Sequence, residues 1–341
     1  MSGPLPSILR PVTAPVSWLW RLAIDHRNRR FDHGVGVQSA SVPVISVGNL
    51  TTGGTGKTPM VQWIVDRLLD AGRHPAVCLR GYGARRGESS DEQLLYEAAW
   101  SDVPVLADPD RTAALTTHLS EAVETDCAVL DDGFQHRRLD RDLDLVLVDA
   151  SRPLAAQRLL PNGHLREPLT SLSRAGAVIV THATAEDPEL AAMIARWHGS
   201  PPIAWTQHRW TCVHVHGRTD RVEQRLAWLS GRRFVTRLGV GHPDAVHEQL
   251  RAAGATVAVD MPVRDHAPFT RSELSELAQR AVGTDGLFMT AKDWVKAEPM
   301  ADELGDVPVI VPVLRLRFLS GQAELLERIE AATAPSGGSS G

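Results

Sequence analysis

The chain has 341 residues, more than one core comfortably serves, which predicts two domains. Hydrophobic residues make up 43% and charged residues 23%, a globular composition that excludes a disordered chain, and the net charge of −5 provides no global basic field for nucleic acid. Cys78, Cys127 and Cys212 lie far apart without metal-ligand spacing, so all three read as reduced packing residues of a cytosolic protein.

Residues 1–40 read as a helical, membrane-proximal segment. Val16 to Ile24 is apolar with Trp18 and Trp20, and His26 to Arg30 follows with basic charge. That order reverses a secretory signal, so cleavage is not expected. Two compatible readings remain: an interfacial helix lying on a lipid surface, or a helix packed on its own domain. No run of about eighteen apolar residues exists, so a membrane span is not expected.

From 41 to 202 apolar strands alternate with helix-length segments, the pattern of a parallel sheet covered on both faces. Strands are expected at 42–47, 76–79, 104–106, 127–130, 143–148 and 177–180. Helices are expected at 58–71, 91–100, 111–121 and 188–197. Residues 203–230 alternate bulky apolar and polar side chains around Gly217-Arg218-Thr219-Asp220, a hairpin pattern that reads as a two-stranded linker. A smaller α/β domain follows over 231–332, and 333–341 is a flexible tail rich in glycine and serine.

The stretch Val44 to Thr58, VISVGNLTTGGTGKT, carries the strongest chemistry. A β-branched run stops in glycines, and Gly56-Lys57-Thr58 opens a helix. Glycines let the backbone curl around phosphate oxygens with its amides inward, and a helix N-terminus adds partial positive charge. Lys57 would reach the β- and γ-phosphates of ATP, and the Thr58 hydroxyl would hold Mg²⁺. Thr51 stands where the standard loop has its first glycine. The bland alternative is an ordinary glycine-rich turn, yet the chain has only three lysines (Lys57, Lys292, Lys296), and one falls where a phosphate loop needs a compact ammonium.

Cys127 to His136, CAVLDDGFQH, is an apolar strand ending in Asp131 and Asp132, the place for a carboxylate on Mg²⁺. A solvated Asp-Asp-Gly turn is the bland reading. Arg80-Gly81-Tyr82-Gly83 follows the second strand, at the edge where open α/β sheets bind ligands. Ser89-Ser90-Asp91-Glu92 reads as a helix cap with acids in the first turn. Leu165-Arg166-Glu167-Pro168, Asp265-His266 and Thr290-Ala291-Lys292-Asp293 say little when taken singly.

Together these segments resemble the tetraacyldisaccharide 4′-kinase family, the lipid A 4′-kinases of Gram-negative bacteria. The match runs in order over about residues 10–330: Val47-Gly48-Asn49-Leu50-Thr51 with Gly53-Gly54-Thr55-Gly56-Lys57-Thr58-Pro59, Arg80-Gly81-Tyr82-Gly83, Asp131 to His136, Leu165 to Pro168, Asp265-His266 with Phe269-Thr270, and Thr290 with Lys292-Asp293. The family's own loop also departs at its first glycine. The resemblance implies two α/β/α sandwich domains joined by a two-stranded β linker, with the active site in the cleft between them. It implies transfer of the ATP γ-phosphate, with Mg²⁺, to the 4′-hydroxyl of tetraacyldisaccharide 1-phosphate, giving lipid IVA at the cytoplasmic face of the inner membrane. Asn49, Thr51, Gly53, Gly54, Thr55, Gly56, Lys57 and Thr58 would bind ATP, with Thr58, Asp131 and Asp132 at the metal. By motif position Asp91 and His266 would activate the hydroxyl, while Arg80, Tyr82, Gln135, His136, Glu167, Asp265 and Lys292 bind substrate or support the site. The partners implied are a lipid-linked substrate and a membrane surface, with no nucleic acid and no obligate protein.

Departures fall around the acceptor. The loop between Tyr82 and Asp91 is about a dozen residues short, so Asp91 rests on its Asp-Glu pair alone. A Gly-Ile-Gly-Asn-Pro-like segment appears as Gly239-Val240-Gly241-His242-Pro243, and a frequent double histidine is reduced to His266-Ala267. Two alternatives follow: a partitioning-type switch ATPase, whose hydrolysis would need no acceptor, and a divergent homologue with a changed acceptor.

Overall fold

The computed structural model describes residues 10–81, 89–121, 124–152, 154, 157–241, 243–264 and 267–334. In chain order the elements are α1 (Arg10–Asp32), β1 (Val44–Asn49), α2 (Lys57–Asp70), β2 (Pro75–Leu79), α3 (Asp91–Ala99), β3 (Val105–Ala107), α4 (Arg111–Glu121), β4 (Cys127–Asp131), β5 (Leu143–Asp149), β6 (Ala177–Thr181), α5 (Pro188–His198), β7 (Ala204–His216), β8 (Arg221–Arg225), β9 (Arg233–Thr236), α6 (Pro243–Ala252), β10 (Thr256–Asp260), α7 (Arg271–Ala281), β11 (Leu287–Phe288), α8 (Ala291–Ala297), β12 (Val309–Ser320) and α9 (Gln322–Thr333).

The chain forms two compact units, neither of them contiguous. The first takes residues 1–81, 102–208 and 316–341, the second 82–101 and 209–315. This differs from the division expected at 202 and 230. Helix α3 belongs to the second unit because it packs on α8, where Lys296 reaches back to Asp91. The C-terminal helix belongs to the first unit. There Leu325 and Ile329 are buried and Arg328 Nη1 donates to the Gly176 carbonyl at 3.2 Å. The strands that enter both units are β7 and β12, not the two strands of one hairpin. Gly321 permits the turn into α9: its φ is 80°, and a Cβ there would lie 1.8 Å from the Ile203 carbonyl oxygen.

In the first unit the parallel order is β6-β5-β1-β4-β2-β3, with the start of β7 beside β6. Strands β1, β4, β5 and β6 are buried along their whole length, so they read as mostly apolar rather than strictly alternating, with Ser46 and Asp144 the buried polar exceptions inside β1 and β5. Helix α2 covers the sheet with the stripe Met60, Val61, Ile64, Val65 and Leu68. Asp187 caps α5 by accepting from the Glu189 and Leu190 amides, with Pro188 at its first position and Gly199 past its end. The C-terminal ends of β1, β4, β5 and β6 bring Asn49, Asp131, Asp149 and Thr181 to one edge, where parallel sheets bind ligands.

The second unit has a parallel run β10-β9-β11-β12 and an antiparallel β7–β8 hairpin in which His214 faces Glu223. The hairpin expected from the alternation in 203–230 is present as these two strands. Cys78 and Cys127 are buried, and burial pushes both thiols up to about 12. Cys212 differs from the reading of a packing residue, since it sits half-exposed on the hairpin.

Helix α1 packs on its own unit along one side, as the second of the two readings expects. Ile24 and Asn28 are buried against the first unit, while Val16, Trp18, Leu19 and Leu22 are exposed. Among the described residues no helix is long and apolar enough to cross a membrane.

One glycine couples the central strand to the acidic turn. A Cβ on Gly48 would lie 2.5 Å from Phe134 Cβ and 2.6 Å from the Phe134 amide nitrogen, so backbone would have to move. Gly48→Ala is expected to lower stability by at least about 1–3 kcal/mol through overpacking. Urea denaturation checks this, and an unchanged midpoint contradicts the packing.

Candidate functional site

The loop between β1 and α2 is built from two turns that need glycine. Gly53 has φ 98° and Gly56 has φ 82°, the latter serving as the left-handed cap of α2. A side chain would be strained at both by the positive φ. A Cβ on Gly53 would meet Arg152 Nη1 at 2.9 Å, and one on Gly56 would meet His208 Cε1 at 2.3 Å.

Its first half is stitched to residues 164–166. Thr51 bridges Leu165, the Thr52 amide donates to the His164 carbonyl at 2.8 Å, and the Arg166 amide donates to Leu50 at 2.7 Å. Thr52 Oγ1 lies 2.8 Å from His164 Nδ1, and Arg152 Nη1 donates to the Thr52 carbonyl at 3.2 Å. Asn49 donates to the Thr51 carbonyl at 2.9 Å, and Thr181 Oγ1 donates to the Thr55 carbonyl at 2.9 Å. Thr51, where a first glycine was the standard expectation, is a buried bridge residue. Gly54 has open space around its Cα.

Lys57 is the first residue of α2. Its Nζ lies 3.3 Å from Asn49 Oδ1 and 3.4 Å from Asp132 Oδ1. Asp132 Oδ2 accepts from Arg166 Nη1 at 2.6 Å, so one carboxylate is shared between two cations. Burial opposes its charge, but Lys57 and Arg166 outweigh that and hold the carboxyl below the usual range. At an effective dielectric near 20, an ion pair of this length attracts by about 5 kcal/mol before desolvation is subtracted.

The turn itself is unusual. Asp132 is a non-glycine residue at φ 52°, and Arg111 stabilises it by donating to the Asp131 and Asp132 carbonyls at 3.2 and 3.1 Å. Asp131 lies beside Val47 in register, with its side chain buried at the end of β4. Gln135 Nε2 donates to the Asn49 carbonyl at 3.0 Å, and its Oε1 accepts from Arg166 at 3.3 Å. The sequence therefore pointed to Lys57, Asn49, Asp132 and Gln135, which converge. It missed Arg111, Arg152 and His164, and it passed over Arg166.

Other named residues take different places. Glu167 is fully buried, accepting from Asn28 at 2.8 Å and Arg174 at 2.9 Å, and so fastens α1 to this unit. His136 meets Thr112 Oγ1 at 3.2 Å. Arg80 is exposed. Tyr82, Asp265 and His266 lie outside the described residues. In the second unit Asp91 begins α3 after the Ser90 cap and pairs with Lys296 at 3.2 Å, while Lys292 is half-buried in the first turn of α8. Of the two lysines of α8, it is Lys296 that touches the named Asp91.

The loop fits a triphosphate. Glycines stand where amides must approach a ligand, and Lys57 stands at the helix start. Thr55 Oγ1 is buried without a hydrogen-bond partner, and a phosphate oxygen could accept from it. The Asp132 carboxylate is of the oxygen chemistry that holds a divalent cation. Fold and site thus define a protein of the phosphate-loop nucleotide-binding class.

The particular family follows from comparison. The model of the Tetraacyldisaccharide-1-P 4'-kinase family matches residues 9–334, and the chain belongs to that family. A tetraacyldisaccharide 4'-kinase of Geobacter sulfurreducens is 35% identical, covering 93% of this chain and 92% of the relative. One of Vibrio campbellii is 31% identical, covering 98% and 96%. Among solved structures, LpxK from Aquifex aeolicus in complex with ATP superposes with TM-score 0.76 at 28% identity, covering 95% of this chain and 99% of that one.

Two histidines give the first unit a pH signature. Burial, with Arg111 and Arg141 nearby, pushes His136 down to about 4. Burial, with His182 at 2.8 Å, pushes His208 down to about 3. Both are neutral at pH 7. Because the unfolded chain takes up these protons first, their stabilisation is complete above about pH 6.5 and is lost as pH falls toward the folded values. Thermal stability is expected to drop from pH 6.5 to 4, each histidine contributing up to about 1.4 kcal/mol per pH unit. His208→Asn should flatten that slope, and an unaltered slope would contradict the assignment.

Proposed function

We propose that the protein transfers the γ-phosphate of ATP to the 4′-hydroxyl of a tetraacyldisaccharide 1-phosphate. The observation that carries this is the Lys57–Asp132–Arg166 arrangement at a glycine-built loop, in a chain whose family acts under that name. The acceptor oxygen attacks the γ-phosphorus, the bond to the ADP oxygen breaks, and the hydroxyl proton passes to a base. Lys57 and the loop amides counter charge on the phosphates. Thr58, Asp131 and Asp132 would hold Mg²⁺, which when bound neutralises charge on the β- and γ-oxygens.

Asp91 and His266 take the proton role by motif position. A sugar hydroxyl is a poor nucleophile until a carboxylate or imidazole accepts its proton. Asn49, Gln135 and Thr51 act by holding the loop, and Arg80, Tyr82, Asp265 and Lys292 remain on the acceptor side of the proposal.

Helix α1 is the proposed seat on the membrane. Its exposed Val16, Trp18, Leu19 and Leu22, with Arg29 and Arg30 in the last turn, suit the interface of an anionic bilayer. Since the donor is ATP, the proposed site of action is the cytoplasmic face of the inner membrane, with peripheral attachment. Trp18→Glu combined with Leu19→Glu is expected to release the protein from sedimenting anionic vesicles; retained sedimentation would contradict this role.

The direct test uses labelled ATP and tetraacyldisaccharide 1-phosphate in detergent micelles. Lipid gaining one phosphate is expected, with Lys57→Ala lowering kcat about 100- to 1000-fold while the fold persists. Hydrolysis indifferent to the lipid would instead favour a nucleotide-switch ATPase. Near-normal turnover by Lys57→Ala would remove the site assignment.

A further inference from the structure

Only three lysines stand among 36 basic residues, and Lys296 is the one with no role so far. It sits in the last turn of α8, within the second unit. Its Nζ lies 3.2 Å from Asp91 Oδ2, 3.4 Å from the Ala267 carbonyl and 3.6 Å from Asp293 Oδ1. An ammonium carries three N–H bonds, and these oxygens offer it three acceptors. The broad planar fork of arginine, so common elsewhere in this chain, is the wrong shape for such a point.

The far side of this contact is rigid. Asp293 is fully buried and already committed: it accepts from Thr290 Oγ1 at 2.8 Å and from the Gly239 amide at 3.1 Å, with Arg237 Nη1 at 3.6 Å. Arg237 is itself buried, stacked 3.7 Å over the Phe269 ring and paired with Glu273 at 2.9 Å. It also donates to the Ala267 and Pro268 carbonyls at 3.4 and 2.8 Å. Two cations therefore clamp the backbone immediately after His266 in the chain. One of them, Lys296, reaches across to the first residue of α3.

We propose that Lys296 is a positioning residue for phosphoryl transfer: from the fixed Asp293 it holds the Asp91 carboxylate in register with the Ala267 peptide. This rests on the reading of Asp91 as a participant in proton removal. A purely mechanical role, fastening α3 to α8, predicts something different. It predicts lost thermal stability with little change in turnover of the folded enzyme.

The test uses the full chain with ATP and tetraacyldisaccharide 1-phosphate, comparing Lys296→Met, Asp91→Asn and the double variant, with thermal melts on each. Lys296→Met is expected to lower kcat about 100-fold while KM for ATP stays within about twofold, the scale of a misplaced reacting group. The double variant should be no slower than Asp91→Asn alone. Lys296→Gln, which keeps two donors but not the charge, should fold if the Met variant does not, and should show the same split. A wild-type kcat in the folded Lys296 variants, additive losses in the double variant, or equal loss of ATP binding would each overturn the proposal. If Asp91→Asn itself keeps full activity, the reading of Asp91 has failed and the proposal falls with it.

Discussion

The shared carboxylate of Asp132 is the contact on which the phosphate site depends. One oxygen faces Lys57 at 3.4 Å and the other binds Arg166 at 2.6 Å. Lys57 opens α2, Arg166 belongs to the segment stitched to Leu50–Thr52, and Asp132 itself sits on a left-handed turn propped by Arg111. Removing Asp132 would therefore leave two like charges facing each other and free the loop on both sides. The arrangement keeps a cation aimed at a phosphate position while its charge is balanced.

Two adjacent residues carry this constraint outward to helix α1. Arg166 turns to Asp132, and its carbonyl accepts from Trp20 Nε1 at 3.1 Å. Glu167 turns the other way and is buried against Asn28, Arg27 and Arg174. Helix α1 is also tied by Arg137 to Asp32 at 2.7 Å, from the segment that follows His136. The exposed apolar face of α1 and the phosphate loop are thus mounted on the same short stretch of chain. A helix seated on a lipid surface would bring the nucleotide site to the acceptor without needing a span across the bilayer.

Much of this could be read from the sequence, for physical reasons that differ by residue. The phosphate loop announces itself because glycine, lysine and threonine act there through local backbone geometry, over a few consecutive positions. Strands β1, β4, β5 and β6 were legible as mostly apolar runs between turn residues, broken by Ser46 in β1 and Asp144 in β5. The arginines were not. Arg111 and Arg166 meet Asp132 from 21 and 34 residues away, and nothing local in an arginine-rich chain marks which guanidinium turns inward. The long strand β12 and the return of α9 to the first unit were missed because a single parallel strand gives the same pattern whichever unit receives its end. Lys296 was passed over for Lys292, since a motif directs attention to its own letters and Lys296 acts through α3, which lies far away in sequence.

The measurement that tests the central claim most directly is ATP affinity, by calorimetry with Mg²⁺, in a cycle of wild type, Asp132→Asn, Arg166→Met and the double variant. If one carboxylate couples the loop to the 164–166 segment, the double variant should bind ATP no worse than the weaker single variant. Losses that add independently would contradict the account, because Asp132 and Arg166 would then be acting apart.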